Sequence, residues 1–361
     1  MTRSHCLAPL ALRLSLAALP LLAPGLATAS VVETSAGPMR IAPMAEGLEE
    51  PWSLAFLPDG GFLVTERGGA LTRYPAGGGS GTAIGGLPAL RVAGQGGLLE
   101  VMVPADFATR GEVLISYAAE GEGGAGTTIA AARLGEDALE DLRVLWQMRG
   151  GGSAGQHFAG KIAEGPDGAI YLTTGERGLG APAQDPESGI GAVMRVARDG
   201  SGAEVVSWGH RNPQGLAFDA EGRLWVSEHG ARGGDEINLI REGANYGWPV
   251  IAHGVNYDGS RIGEGTARPG MEQPVHYWDP SIAPSGHMVH SGTGIAAWRG
   301  DHFLGSLKFD YIARMDPDDW SEERIEAPET GRVRDLREAP DGAVWFLSVD
   351  DGAVYRMAPE G

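Results

Sequence analysis

Residues 166–176 read PDGAIYLTTGE, and the phrase returns as PDGGFLVTE at 58–66, AEGRLWVSE at 220–228 and PDGAVWFLS at 340–348. Each copy follows a strand-like run (KIAEG, WSLAFL, GLAFD and RDLREA), so the unit is a hairpin whose tight turn is built from Pro, Asp and Gly. Degenerate copies lie at Pro104-Ala105-Asp106 before VLISY and at Arg299-Gly300-Asp301 before HFLGSL. The spacing between turns, roughly forty to eighty residues, suits blades of ~40–50 residues carrying loop insertions. Six units, 58 glycines and no sustained helical period predict an all-β chain folded as a six-bladed β-propeller. A pair of β-sandwiches is the competing architecture, but it lacks a repeated turn phrase followed by the same strand signature. Propellers bind ligands over the central channel, on the face built by loops between blades. Residues 120–127, 175–189, 229–236, 253–270 and 278–290 are expected to supply those loops.

The first 29 residues read as a cleaved secretory signal. Arg3 and Arg13 bracket a cationic start, an apolar run reaches Leu22, and Ala27-Thr28-Ala29 offers small residues for cleavage. A membrane anchor is the alternative, but Arg13 and Pro20 interrupt the run, and no later stretch approaches the ~18 apolar residues a spanning helix needs. The sole cysteine, Cys6, lies in this leader, so residues 30–361 contain no thiol and no disulfide. They are expected to form one catalytic domain in the periplasm or secreted. The formal charge of −19 becomes −21 when Arg3 and Arg13 leave. Such a surface repels phosphate backbones, which argues against nucleic acid as a partner. An anionic ligand would need its own local cluster of Arg and Lys.

WGHRNPQGLAFDAEGRLWVSEHGARGGDE at 208–236 concentrates possible chemistry: a guanidinium and an amide before one strand, and an acidic Gly-rich loop after the next. Arg211 offers a planar fork of donors suited to carboxylates. The oxygens of Glu228 to Glu236 are of the type calcium prefers. Together with GQGGLLEV around Gln95, HFAGKI from His157, DEINLIREGANYGWP from Asp235 and LKFDYIARM from Leu307, this stretch resembles the soluble aldose sugar dehydrogenases that use pyrroloquinoline quinone (PQQ). The resemblance runs from about Gly47 to Arg356.

On spacing alone a lone histidine is more often structural than catalytic. The resemblance implies that His157 is the general base that takes the proton of the sugar's anomeric hydroxyl. Relatives follow this histidine with x-Gly-Gly-Arg; here Ala159 and Lys161 depart from that pattern, and Gln156 stands where some relatives carry an aspartate. Arg211 and Asn212 read on composition as a strand edge. The resemblance makes them quinone contacts, with Arg211 steadying charge that grows during hydride arrival. It likewise implies calcium on the consecutive carbonyls of Gly230 and Ala231, and structural calcium at Asp235, Glu236 and the Tyr246 carbonyl. Lys308, Arg332 and Arg334 could be a solvated basic face. By resemblance they bind the cofactor's carboxylates, and the alternation of Arg332 and Arg334 would point both to one side of a strand. Gln95 matches a cofactor contact, with Gly96 and Gly97 expected to let the backbone approach a flat ligand. Trp52, Trp225 and Trp345 are expected in blade cores.

These implications amount to oxidation of an aldose at its anomeric carbon to a lactone, with PQQ and calcium as cofactors and an unidentified electron acceptor. The chain would work as a monomer or homodimer with no membrane span. A calcium-dependent lactonase is a second enzyme reading, since fold does not decide between them. A non-catalytic secreted propeller that binds glycan or protein is the third. The preferred sugar is not encoded in any pattern the loops display.

Overall fold

The computed structural model describes residues 1–2 and 29–361, so the expected leader falls almost wholly outside the described residues. The chain forms six sheets of four or five strands, antiparallel except for the short parallel pairing of Ala244–Asn245 with Ala203–Trp208, and has a single four-residue α-helix at Phe107–Arg110 among the described residues. Their innermost strands are Pro51–Phe56, Leu98–Met102, Ala159–Glu164, Pro213–Phe218, Pro284–Val289 and Val333–Glu338, which open blades 1 to 6. Each innermost strand touches the next, and Val333–Glu338 meets Pro51–Phe56, closing the ring. The chain is a six-bladed β-propeller. Gly37–Ala45 pairs antiparallel with Ala353–Pro359, so an early strand completes the last blade and ties the two ends of the ring together.

The recurring phrase is the turn between the first and second strands. At 57–61, Leu57 N–H donates to Gly61 O (2.8 Å), Gly60 N–H to Leu57 O (3.0 Å), and Gly61 N–H to Asp59 Oδ1 (2.9 Å). The set is repeated at 339–343, and the turn glycines hold left-handed φ of 84°, 78°, 78° and 83° at 60, 168, 222 and 342. The degenerate copies occupy the same place in blades 2 and 5, so all six expected hairpins form.

The strand runs are almost continuously apolar because their two faces serve two different neighbours. Leu63 packs with Ile115 of blade 2, whereas Phe62 and Val64 pack with Trp345 and Leu347 of blade 6. One buried cluster fills each of the six blade junctions, and Trp225 and Trp345 sit in such clusters as expected. Side-chain hydroxyls add cross-blade ties: Thr65 Oγ1 donates to Leu99 O (2.6 Å) and Thr173 Oγ1 to Pro213 O (3.1 Å).

This strand order puts the Pro-Asp-Gly turns at one end of the channel. The entries of the innermost strands lie at the other, with the loops joining second and third strands. All six innermost strands carry a register shift near that entry, such as Pro51/Ser53, Pro213/Gly215 and Val333/Asp335. Bulges of this kind bend a strand and re-aim its side chains.

Candidate active site

At the entry end, a cavity of about 530 Å³ opens over the channel, lined by Trp52, Arg67, Gln95, Asn212, Gln214, His229, Lys308, Arg332 and Arg334 among others. Five of the expected cofactor contacts therefore share one wall-to-wall space, although the sequence scatters them from 95 to 334.

His157 does not itself line this cavity but lies against Gln95, which does. Its backbone N–H donates to Gln95 Oε1 (2.8 Å), which ties the expected base to an expected cofactor contact. Its Nδ1 faces Glu176 Oε1, and Glu176 also accepts from the N–H groups of Gly178 (3.0 Å) and Gly180 (2.6 Å). Burial opposes ionisation of Glu176, but the bonds from His157 and those two amides hold its carboxyl below the ordinary range. An ionised Glu176 keeps the proton on Nδ1 and leaves the Nε2 lone pair free, with no protein partner among the described residues. Burial, and then Arg211 and Arg177, push the His157 pKa below 6.5 against the pull of Glu176, so the ring is neutral at neutral pH. Gln156, by contrast, is exposed. Glu176 was missed in the sequence because it lies just past the repeated strand; the signal was its place in TTGE, on the loop that faces His157.

Arg211 is buried against the loop after the second strand of blade 4. Its backbone N–H donates to Glu228 Oε2 (2.7 Å), its Nη1 donates to the carbonyls of His229 (3.3 Å) and Gly230, and its guanidinium lies 5.1 Å from the Trp248 ring. Its Nε is buried without a partner, as is Trp248 Nε1. Asn212 Oδ1 accepts from Gln214 Nε2 (3.1 Å). Asp235 accepts the N–H groups of Gly230 (2.8 Å) and Ala283 (2.7 Å), one on each oxygen, and so clamps the loop. Glu236 and Tyr246 line a small hollow with Glu228, Gly230 and Ala231. Burial and the neighbouring Glu228 push Glu236 up to about 8. Tyr246 stacks on His210 and donates its hydroxyl to Leu239 O (2.5 Å). No three His, Cys, Asp or Glu side chains converge as a metal group among the described residues, so a cation here would rest largely on carbonyl oxygens.

Arg332 and Arg334 reach the same cavity, but not by alternation along one strand. Arg332 precedes the strand with φ 43°, and the Val333/Asp335 register shift breaks the period between them. Arg332 Nη1 donates to Leu307 O (2.8 Å). The Arg334 guanidinium lies 4.1 Å from the Trp52 ring, and burial together with Arg332 pushes its pKa down to about 9. Trp52 is therefore both core and cavity wall, which differs from the expectation of core alone. Lys308 is exposed at the rim. Gly96 and Gly97 do not make room for a ligand: a Cβ on Gly97 would stand 2.0 Å from Arg67 O, and one on Gly96 2.9 Å from the Phe158 ring.

Residues 48–356 match the model of the glucose/sorbosone dehydrogenase family. The chain is 35% identical to the aldose sugar dehydrogenase YliI of Escherichia coli, over 94% of this chain and 98% of the relative. A crystal structure of a glucose dehydrogenase superposes with TM-score 0.84 at 38% identity, covering 89% of this chain and 99% of that one. The PQQ-bound form of the aldose sugar dehydrogenase from Streptomyces coelicolor gives TM-score 0.74 at 27% identity, covering 92% and 98%. The chain belongs to the glucose/sorbosone dehydrogenase family and is an oxidoreductase.

Proposed function

We propose that the chain oxidises aldose sugars at the anomeric carbon to lactones, with PQQ as resident cofactor and calcium beside it. The reading rests above all on the cation set: Lys308, Arg332 and Arg334 line one cavity in a protein of formal charge −19. Burial and the neighbouring Arg332 also depress the Arg334 pKa, so an anion bound here would relieve both. A polycarboxylate fits that deficit, and the unpartnered Arg211 Nε leaves a donor free for it. PQQ, when bound, supplies a two-electron acceptor for the hydride leaving the sugar carbon. His157 Nε2 takes the anomeric hydroxyl proton while Glu176 holds the imidazolium it becomes. Gln95 and Asn212 orient the cofactor at the cavity wall, and Arg211 stabilises negative charge as it develops.

Calcium is assigned to the carbonyls of Gly230 and Ala231, with Glu236 and the Tyr246 carbonyl as a second oxygen set and Asp235 fixing the loop. The excess charge of Glu228 and Glu236 in one buried hollow supports a cation there. The lactonase reading would instead want a carboxylate-rich centre over the channel, where this cavity has cations. Residues 30–361 would act as one periplasmic or secreted unit after loss of 1–29, passing electrons to a separate acceptor. No helix among the described residues is long and apolar enough to cross a membrane.

The decisive experiment titrates apoprotein with PQQ and calcium and follows quinone absorbance before and after an aldose is added. Turnover should require both additions. Full activity with NAD and no quinone would sink the assignment.

A further inference from the structure

Among the described residues, Arg177 is the largest charged side chain that is fully buried, with 0% exposure, and it forms no ion pair within hydrogen-bond distance. It follows Glu176 directly and lies beneath the segment that carries His157. Its guanidinium carbon stands 3.4 Å from the centroid of the Phe158 ring. Nε donates to Ala125 O (3.2 Å) of blade 2, Nη2 donates to Ala154 O, and Nη1 is buried without a partner. Phe158 is flanked by two non-glycine residues in the left-handed region, His157 at φ 56° and Ala159 at φ 54°. Such conformations persist only where surroundings over-determine them. Here the over-determination is visible: Arg177 holds Ala154 and the Phe158 face from below, and Gln95 takes the His157 N–H and donates its own N–H to Gly155 O (2.7 Å). A buried guanidinium paired only with carbonyls and a ring costs more than an apolar residue of equal size, so stability does not account for it.

We propose that Arg177 is a positioning residue that fixes the backbone at His157, and so aims Nε2 into the cavity, by stapling Phe158 and Ala154 to blade 2. The inference rests on the reading of His157 as the base. The charged groups facing His157 are Glu176, Arg211 and Arg177, with His229 beyond them. Loss of the Arg177 charge therefore removes one contribution that disfavours the imidazolium.

The test compares Arg177→Met and Arg177→Lys with the parent. In apoprotein labelled at histidine, the NMR titration of His157 should move to higher pH in Arg177→Met and stay near the parent in Arg177→Lys, which keeps the charge. In reconstituted enzyme both should lower kcat by about tenfold or more, as expected for a displaced reacting group, with sugar KM and PQQ affinity within about twofold. An unmoved titration and parental kcat in Arg177→Met would overturn the proposal. If that variant fails to fold, Arg177→Lys decides alone, because parental kcat there means that the stacked, forked geometry is dispensable. If His157→Ala itself turns over at the parental rate, the base reading falls, whatever the Arg177 variants show.

Discussion

Lys161 Nζ lies 2.8 Å from Asp335 Oδ1, joining the innermost strand of blade 3 to that of blade 6 across the channel. The same ammonium is 2.6 Å from Glu100 of blade 2, and Arg337 contacts both acids, 3.2 Å from Asp335 Oδ2. Asp335 Oδ2 also accepts Leu54 N–H of blade 1 (3.1 Å). Three buried groups, Lys161, Glu100 and Asp335, and the half-buried Arg337 thus form one network in the channel, one residue beyond Arg334. Lys161 therefore serves the ring rather than the cavity.

Removing one partner leaves the others buried and uncompensated. Lys161→Met should lower unfolding stability by about 3–5 kcal/mol, read from urea denaturation. Adding Asp335→Asn should recover part of that loss, since it removes the stranded charge. Additive losses in the double variant would mean that the pair is not coupled.

Glu176→Gln keeps the shape of the partner of His157 but not its charge. Glu176 favours the imidazolium through its hydrogen bond and its charge, so its loss should move the acid limb of kcat/KM to lower pH. The neutral amide also accepts either tautomer, and kcat should fall roughly 10²- to 10⁴-fold, as when a triad carboxylate is neutralised. His157→Ala should lose a similar factor while binding PQQ normally. A limb that moved to higher pH would show that Glu176 does not act on this ring.

The propeller was legible because its evidence is local. A Pro-Asp-Gly turn and the strand after it are short-range features, and six copies fix the architecture. The site was legible only in part, and only through a family resemblance, because its residues lie at equivalent entries of different blades and nothing local marks Gln95, His157 and Arg334 as neighbours. The alternation argument for Arg332 and Arg334 failed in detail because the bulge at Val333/Asp335 is invisible in sequence. Glu176, Arg177 and Lys161 went unassigned for a related reason: each is a charged residue whose meaning comes from burial, and burial is a property of the closed ring.

Burial of His229 gives a pH prediction with a definite sign. Burial, followed by Arg211 and Arg334, pushes its pKa down to about 3, from an ordinary value near 6.5. A folded pKa below the unfolded one means that the stabilisation is present above about pH 6.5 and is lost as pH falls towards 3. Between pH 7 and pH 5 the parent should lose about 2 kcal/mol more than His229→Asn. Glu236, whose pKa is raised, acts in the opposite sense but equally in both proteins, so the difference isolates the histidine. Parallel stability curves from urea denaturation would refute it.

The cations around the cavity and the adjoining Gly230 hollow divide into those that hold and one that also drives. Arg334 makes neutral contacts with Gln214 and Ser285, and Arg332 donates to Leu307 O with only a long, exposed approach to Asp350 (3.9 Å), which leaves most of their charge available to an anion. Alanine at either position should weaken PQQ binding by about 1.5–3 kcal/mol, the worth of a charged hydrogen bond, with little change in the reduction step once cofactor saturates. Arg211 differs because it faces the Gly230 loop and keeps Nε free. If its partner charge grows only as hydride arrives, Arg211→Ala should slow single-turnover quinone reduction even at saturating PQQ. Calorimetry measures the first effect and stopped-flow absorbance the second. Parental affinity in both the Arg332 and Arg334 variants would reduce that pair to a solvated face, and a normal reduction rate in Arg211→Ala would confine that residue to binding.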